Sequence, residues 1–494
     1  MPPSLRNLSL ATHPPFAFLR MPPSVRNLSL LGAAACACGW AWLELRRRRQ
    51  RLSLCAKYCL DPRRGFMLPV ATALPEAFDV WERIALDLPA LNRSAGLRTA
   101  VDRALPVDPL AVAALSPAEQ RRAYVLFASV AHSYVNGGSV PWAKLDSTSA
   151  TASTAVAPSA AMPELPAQLA APWRAVCAEL GVPCVFIATG MDLWNAAPLR
   201  WWQQPAVRNY RQSISMSGCR SECGFHAVRA TLTMAMLTVA VLTMARLTVT
   251  LTVTLTLEPC TRQVPHAIQH TLTPLLPSLL LAPEMVAGRR WRQLTRLLRG
   301  IGAALRRVRL LLGEIPEAVD VDEFYDVYRP LLGGWAEGGL KLQGATTASD
   351  CVVHWKGPSA GQTALLLLLD MVLGVEHRTQ VSSFQREMRE HYLPAPHAQL
   401  LQDTEARLAQ SGSAHHAAAL PGAPLRVGQA HSEALDALAA MRAYHLGIAS
   451  RYLRRTGTGT GGSDFRPMLG EAVQSTREAS TACGARLTSE DPRD

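Results

Sequence analysis

Apolar and polar positions recur at helical intervals along most of this chain. The clearest stretch is HSEALDALAAMRAYHLGIASRYLRR at 431–455. Leu435, Leu438, Arg442, His445 and Ala449 follow one another three and four residues apart, so they share one face of a single predicted helix. That face is apolar except for an arginine and a histidine one turn apart, and inward-facing polar groups need partners. Further upstream, LPEAFDVWERIALDLPAL (74–91) sets Phe78, Trp81, Ile84, Ala85 and Leu88 at the same spacing. LSPAEQRRAYVLFASVAHSYV opens on Ser116–Pro117 with Glu119 in its first turn, a helix-start pattern. Pro166–Leu180 reads as an amphipathic helix and 181–195 (GVPCVFIATGMDLWN) as a buried apolar segment with turn residues around it. Residues 284–320 return to helix. FYDVYRPLLGGW (324–335) is a helix ending in a turn, and WKGPSAGQTALLLLLDMVLGV (355–375) is a small-residue loop leading into a buried helix. Asp370 lies inside that apolar helix and requires a cation. A short helix is predicted near 466–480. No alternation of strand and helix appears, so the fold class is all-α: a small N-terminal helical domain at 56–146 and a larger helical domain at 163–480.

Several stretches break the pattern. Residues 147–162 (STSATASTAVAPSAAM) have linker composition, and 481–494 is a tail. Residues 232–257 read LTMAMLTVAVLTMARLTVTLTVTLTL, and 230–283 is predicted as an irregular low-complexity insertion in the larger domain. The first 55 residues form an extension in which MPPSLRNLSL (1–10) returns as MPPSVRNLSL (21–30). Its arginine, its serine and its lack of acids before Glu44 suit an organelle transit peptide. The apolar run 28–45 followed by Arg46–Arg49 suits a membrane anchor instead, and an unstructured leader fits equally. The chain is therefore placed in the cytoplasm, or in an organelle if 1–55 is a transit peptide.

The 494 residues are 49% hydrophobic and 18% charged, enough for a sizeable core. Net charge is +12, but residues 1–64 alone hold eleven Lys and Arg against two acids. The basic excess is thus weak support for a nucleic-acid partner, and none is expected. The arginines of 289–308 alternate with Leu and Ile at helical spacing and read as the solvated face of a packed helix. Eleven scattered cysteines indicate free thiols in a reducing compartment. Cys219 and Cys223, four residues apart, could bind a metal.

His445 on its apolar face is first a candidate for a hydrogen-bonded core histidine. Beside Arg442 it also suits haem, with iron for the imidazole and propionates for the guanidinium. Seven segments together decide between these readings: RRGFMLP (63–69), LPEAFDVWERIALDLPAL, FYDVYRPLLGGW, GPSAGQTALLLLLD (357–370), MREHYLPAPHAQLL (388–401), MRAYHLGI (441–448) and GTGGSDF (459–465). In this order the chain resembles the indoleamine 2,3-dioxygenase family, monomeric haem dioxygenases that open the indole ring of tryptophan.

The resemblance implies haem b as cofactor, with His445 as the proximal iron ligand and Arg442 paired with Asp370 near the propionates. It implies Arg329 as the residue that binds the substrate carboxylate, for which a planar guanidinium is suited. Phe225, Phe324 and Ile187 match the pocket around the indole. Ser359 and Ala360 match a small-residue loop over the haem, and Thr460, Gly461 and Gly462 match a mobile loop over the substrate. The partners implied are tryptophan or a related indoleamine, O2, and a reductant for ferric haem. The implied product is N-formylkynurenine, formed without a side-chain general base. An oxygen carrier or sensor on the same fold would need His445 but not Arg329. Three positions depart from the family pattern: Arg229 where a small or hydroxyl residue is usual, Ile187 where Tyr is frequent, and Pro358 in place of Gly. A membrane contact is expected only through 28–45.

Overall fold

A capping box starts one of the central helices. Ser116 Oγ accepts from the Glu119 N–H, and the Glu119 carboxylate accepts from the Ser116 N–H at 2.8 Å. In the computed structural model the described residues are 42, 45–46, 49–50, 52–142, 162–198, 210–219, 264–345, 351–455, 457–460 and 464–489. Residues 55–494 form one unit and the first 54 another.

The principal helices in chain order are α1 (Asp79–Leu86), α2 (Leu88–Arg93), α3 (Pro117–Asn136), α4 (Ala167–Leu180), α5 (Val264–Leu272), α6 (Ala282–Ala287), α7 (Trp291–Leu312), α8 (Ala364–Leu373), α9 (Thr379–His391), α10 (Ala395–Ser411), α11 (Leu425–Tyr452) and α12 (Phe465–Ser489). Strands are marginal. β1 (Glu164–Leu165) pairs in parallel with β4 (Leu340–Leu342), which pairs antiparallel with β5 (Val352–Val353). β2 (Ala196–Pro198) and β3 (Tyr210–Gln212) form a separate antiparallel pair. The fold is all-α.

Among the described residues the most extensive helix contacts are α7 with α11 and α11 with α12. α7 buries Leu294, Leu297, Leu298, Ile301, Leu305 and Val308, the row its spacing predicts. It runs alongside α11 in the same direction, with Gly302 beside Ala434 and Gly313 beside Tyr444. Along α11 the residues from Val427 to Met441 are mostly buried, whereas 442–450 keep partial exposure. α1 and α3 are joined by a buried pair: Arg122 donates to both oxygens of Glu82, at 3.0 and 2.6 Å.

Three stretches differ from their sequence patterns. The 74–91 segment is two helices, because Pro89 opens a new first turn after Asp87. Residues 264–283, predicted as part of an irregular insertion, are helical, and Val264, Leu272, Leu276 and Leu279 are buried. Prolines at helix-start positions and apolar spacing in HAIQHTLTPLLPSLL account for this. The terminal helix extends over Phe465–Ser489, beyond the predicted 466–480. The linker 147–161, most of the 1–55 extension, and 220–263 lie outside the described residues. Among those described, no helix is long and apolar enough to cross a membrane.

Candidate active site

The arginine of FYDVYRP sits at an irregularity that helical spacing did not foretell. Phe324–Tyr328 is a π-helical turn, and the Arg329 N–H donates to the Phe324 carbonyl five residues back. Pro330 follows at once. It has no N–H to continue an α-ladder and its ring would press on the carbonyl four residues earlier, so the wider turn relieves both problems. The turn buries Phe324, which packs edge-on against Tyr328 and Tyr452 with ring centroids 5.9 and 5.5 Å away. The Arg329 guanidinium stands 5.2 Å from the centre of the Tyr325 ring. Arg455 stacks on the same ring at 4.8 Å and is itself tied to Asp326 at 2.8 Å. Arg329 Nη2 donates to the Thr458 carbonyl at 2.9 Å. Burial lowers its pKa, nearby Tyr325 opposes that, and a guanidinium stays protonated.

Around Arg329 three loops converge. Thr460 Oγ1 donates to the Pro358 carbonyl at 2.6 Å, fastening the Gly-rich loop to the SAGQ loop. Thr458 also bridges to Asp464. Gly334 and Gly357 cross so closely that a Cβ on either would collide with backbone of the opposite loop; only glycine serves there. Ser359 caps the short turn that follows, its Oγ accepting from Gly361 N–H at 3.4 Å, and Ala360 is exposed. Pro358, the departure from the family pattern, is buried, with its carbonyl engaged by Thr460.

Two residues that the pattern did not single out hold the wall containing Ile187. Gln362 Oε1 accepts from the Ala188 N–H at 2.9 Å, and its Nε2 donates to the Gly357 carbonyl at 2.9 Å. His132, fully buried on α3, accepts from the Phe186 N–H at Nε2 (2.9 Å), so its proton is on Nδ1 and is donated to the Leu331 carbonyl (3.0 Å). Burial brings its pKa down to about 4, against the opposing Leu331 hydrogen bond, and the ring is neutral. One imidazole thus joins the Ile187 wall to the segment directly after Arg329. Tyr124 adds a third tie, with the Ile187 N–H donating to its hydroxyl at 3.0 Å. The Ile187 side chain is completely buried.

The second group is built on α8 and α11. Asp370 is 4% exposed. Arg442 donates to both its oxygens, at 2.6 and 2.7 Å, and His377 and Gln385 add bonds of 2.9 and 3.1 Å. Burial pushes this carboxyl up, but Arg442 and His377 outweigh it, and the net pKa is lower than usual. Arg442 also donates to Thr476 on α12 at 2.5 Å. His445 follows one turn later. Its pKa is depressed, chiefly by burial and further by Arg442, so the ring is neutral with a nitrogen lone pair available. By surface area the side chain keeps partial exposure although its surroundings are deep. This suits a ring on the wall of a recess rather than one sealed in packing. Among the described residues its nitrogens make no hydrogen bond, unlike those of His132. A neutral, unbonded imidazole beside a fixed guanidinium is a donor set that fits haem iron and its propionates.

The eleven-residue path from Ser359 to Asp370 joins the two groups. Phe225, Gly461 and Gly462, together with the departure at Arg229, lie outside the described residues.

The chain is similar to known proteins over most of its length. The family model of indoleamine 2,3-dioxygenase matches residues 54–255 and 249–456. A 6-hydroxytryptophan 2,3-dioxygenase of Fusarium equiseti is 26% identical over 416 residues, 82% of this chain and 86% of its own. Mouse indoleamine 2,3-dioxygenase 2 is 25% identical over 453 residues, 87% and 96% of the two chains. A myoglobin of Haliotis diversicolor is 30% identical over a shorter 183 residues, 34% of this chain and 46% of its own.

Proposed function

Because the chain belongs to the indoleamine 2,3-dioxygenase family, we propose that it is a haem-dependent dioxygenase cleaving the indole C2–C3 bond of tryptophan with O2 to give N-formylkynurenine. The observation that carries this reading is His445: a neutral imidazole with no hydrogen bond among the described residues, one turn from Arg442 and its buried partner Asp370. When bound, haem supplies the redox-active iron that activates O2 for addition to the indole.

The protein's own work is positional. His445 presents a nitrogen lone pair on a helix packed along its length by α7 and α12. Arg442, fixed by Asp370 and Thr476, offers its remaining N–H edge to a carboxylate of the cofactor. Arg329 takes the substrate's carboxylate, its plane backed by Tyr325, which Arg455 holds from the other face. Phe324 supplies apolar contact for the indole, and the fully buried Ile187 packs behind the wall of the pocket. The loop at 457–460, fastened to Pro358 through Thr460, closes the substrate from water. No group in this set has to remove a substrate proton, which agrees with an addition reaction.

A second reading, a haem protein that binds oxygen with little turnover, is favoured by the similarity to the Haliotis myoglobin. The two are separated by incubating the haem-loaded chain with tryptophan, ascorbate and methylene blue. Kynurenine-type product in amounts well above the haem supports the dioxygenase. A haem spectrum that responds to O2 without product supports the carrier.

A further inference from the structure

The outer face of α7 carries charge that the fold leaves unanswered. Arg292, Arg296, Arg299, Arg306, Arg307 and Arg309 are exposed, as are Arg289 and Arg290 just before the helix. Residues 289–313 contain no acid. None of these eight guanidiniums makes a hydrogen bond or ion pair among the described residues, and Arg309 alone stacks, over the Tyr444 ring at 5.8 Å. Elsewhere on the surface some arginines are paired, as Arg378 with Glu478, Arg389 with Glu405 and Arg407 with Glu284. Those unpaired among the described residues, such as Arg103, Arg386, Arg426 and Arg477, are scattered over other helices. Beyond residue 64 the net charge is only about +3, so with eight positive charges on this strip the remainder of that region is net negative. Like charges three and four residues apart destabilise a helix. Here they are kept together without relief.

The strip has a definite shape. Arg292, Arg296, Arg299, Ala303, Arg306 and Leu310 recur at three and four residues and form one line along the helix, about 27 Å long. Ala303 is exposed, and Leu310 is 69% exposed at the end of the line. We propose that this face docks the protein on an anionic lipid bilayer. The guanidiniums would pair with headgroup phosphates, and Leu310 would enter the headgroup–acyl boundary. A nucleic acid suits the strip less well. Leu310, 69% exposed at the end of the line, has a place in a bilayer but no partner on a phosphate backbone. Apart from the arginines themselves, the exposed line has no amide, hydroxyl or aromatic side chain to read or stack a base. The proposal is independent of the catalytic reading above.

The test is co-sedimentation of the full haem-loaded chain with vesicles of phosphatidylcholine, alone or with about one quarter phosphatidylserine. The chain should partition onto the anionic vesicles only, and less as salt rises. In the variant Arg292→Gln/Arg296→Gln/Arg299→Gln/Arg306→Gln, partitioning should fall about a hundredfold or more, since each basic residue at an anionic surface contributes roughly a factor of five. Its haem spectrum and turnover should stay at wild-type levels. Neutralising Arg46–Arg49 instead should leave most of the binding. Should the fourfold variant fold poorly, the single charge reversal Arg296→Glu, with a tenfold or greater loss, serves the same purpose. Equal binding to neutral vesicles would overturn the proposal. So would undiminished binding by the α7 variants, or a short DNA duplex that outcompetes the anionic vesicles at matched salt.

Discussion

Replacing Arg442 with Met keeps most of the side-chain volume but withdraws from Asp370 the only permanent cation it has among the described residues. The structure sets the scale of the damage. The carboxylate is 4% exposed and accepts four hydrogen bonds, the two shortest from Arg442. His377 and Gln385 remain, at 2.9 and 3.1 Å, and neither is a fixed charge. Removing one partner of a buried pair leaves an uncompensated ion and typically costs about 3–5 kcal/mol. The lost Arg442–Thr476 bond between α11 and α12 adds to this. Urea unfolding of the apoprotein, followed by circular dichroism, should show a lower midpoint with an unchanged slope. Adding Asp370→Asn removes the stranded charge, so the double variant should recover a large part of the loss. A single variant within about 1 kcal/mol of wild type would refute the reasoning, as would a double variant no more stable than the single.

Other outcomes follow from the same geometry. Arg329→Ala should retain haem but lose two or more decades of kcat/KM for tryptophan, roughly the loss of a charge-assisted bidentate contact; equal kcat/KM in the two proteins would remove Arg329 from the substrate site. His132→Ala should lower stability by about 2–3 kcal/mol by stranding the Phe186 N–H and the Leu331 carbonyl. Because His132 also ties the Ile187 wall to the Arg329 segment, it should raise KM for tryptophan more than it lowers haem content; unaltered KM would limit the residue to a structural part. His132, His397 and His431 are each held neutral by burial, with pKa values brought from 6.5 to about 4. The unfolded chain binds protons there first, so stability present above pH 6.5 should be lost as pH falls towards 4. A thermal midpoint constant from pH 7 to about 4.5 would contradict that sign.

The parts of the site that were legible in the sequence are those set by helical spacing and motif. The three- and four-residue spacing of α11 put Arg442 and His445 on one face, and the apolar run around Asp370 announced a buried carboxylate in need of a cation. Patterning could not reveal His132 and Gln362. Their partners are backbone groups 199, 54 and 174 residues away, and a carbonyl has no residue type to recognise. The π-helical turn at Phe324–Tyr328 was hidden for a different reason: its apolar spacing is that of an ordinary helix, and only the steric demand of Pro330 changes its winding. The helices between 264 and 283 were masked by the repetitive Leu/Thr/Val stretch before them, whose low complexity colours any reading window that overlaps it. On α12, Ser475 and Thr476 face inward among Ser, Thr and Ala, too weak an apolar contrast to show how far the helix runs.

The account stands on the nitrogen of one imidazole. Its most direct test is the visible absorption spectrum of the haem-titrated chain, recorded for wild type and His445→Ala, each with and without tryptophan. Wild type should take up one haem with a Soret band that shifts when tryptophan is added, and His445→Ala should retain no such band. An equal, tryptophan-sensitive band in both proteins would show that the iron is held elsewhere, contradicting the site described.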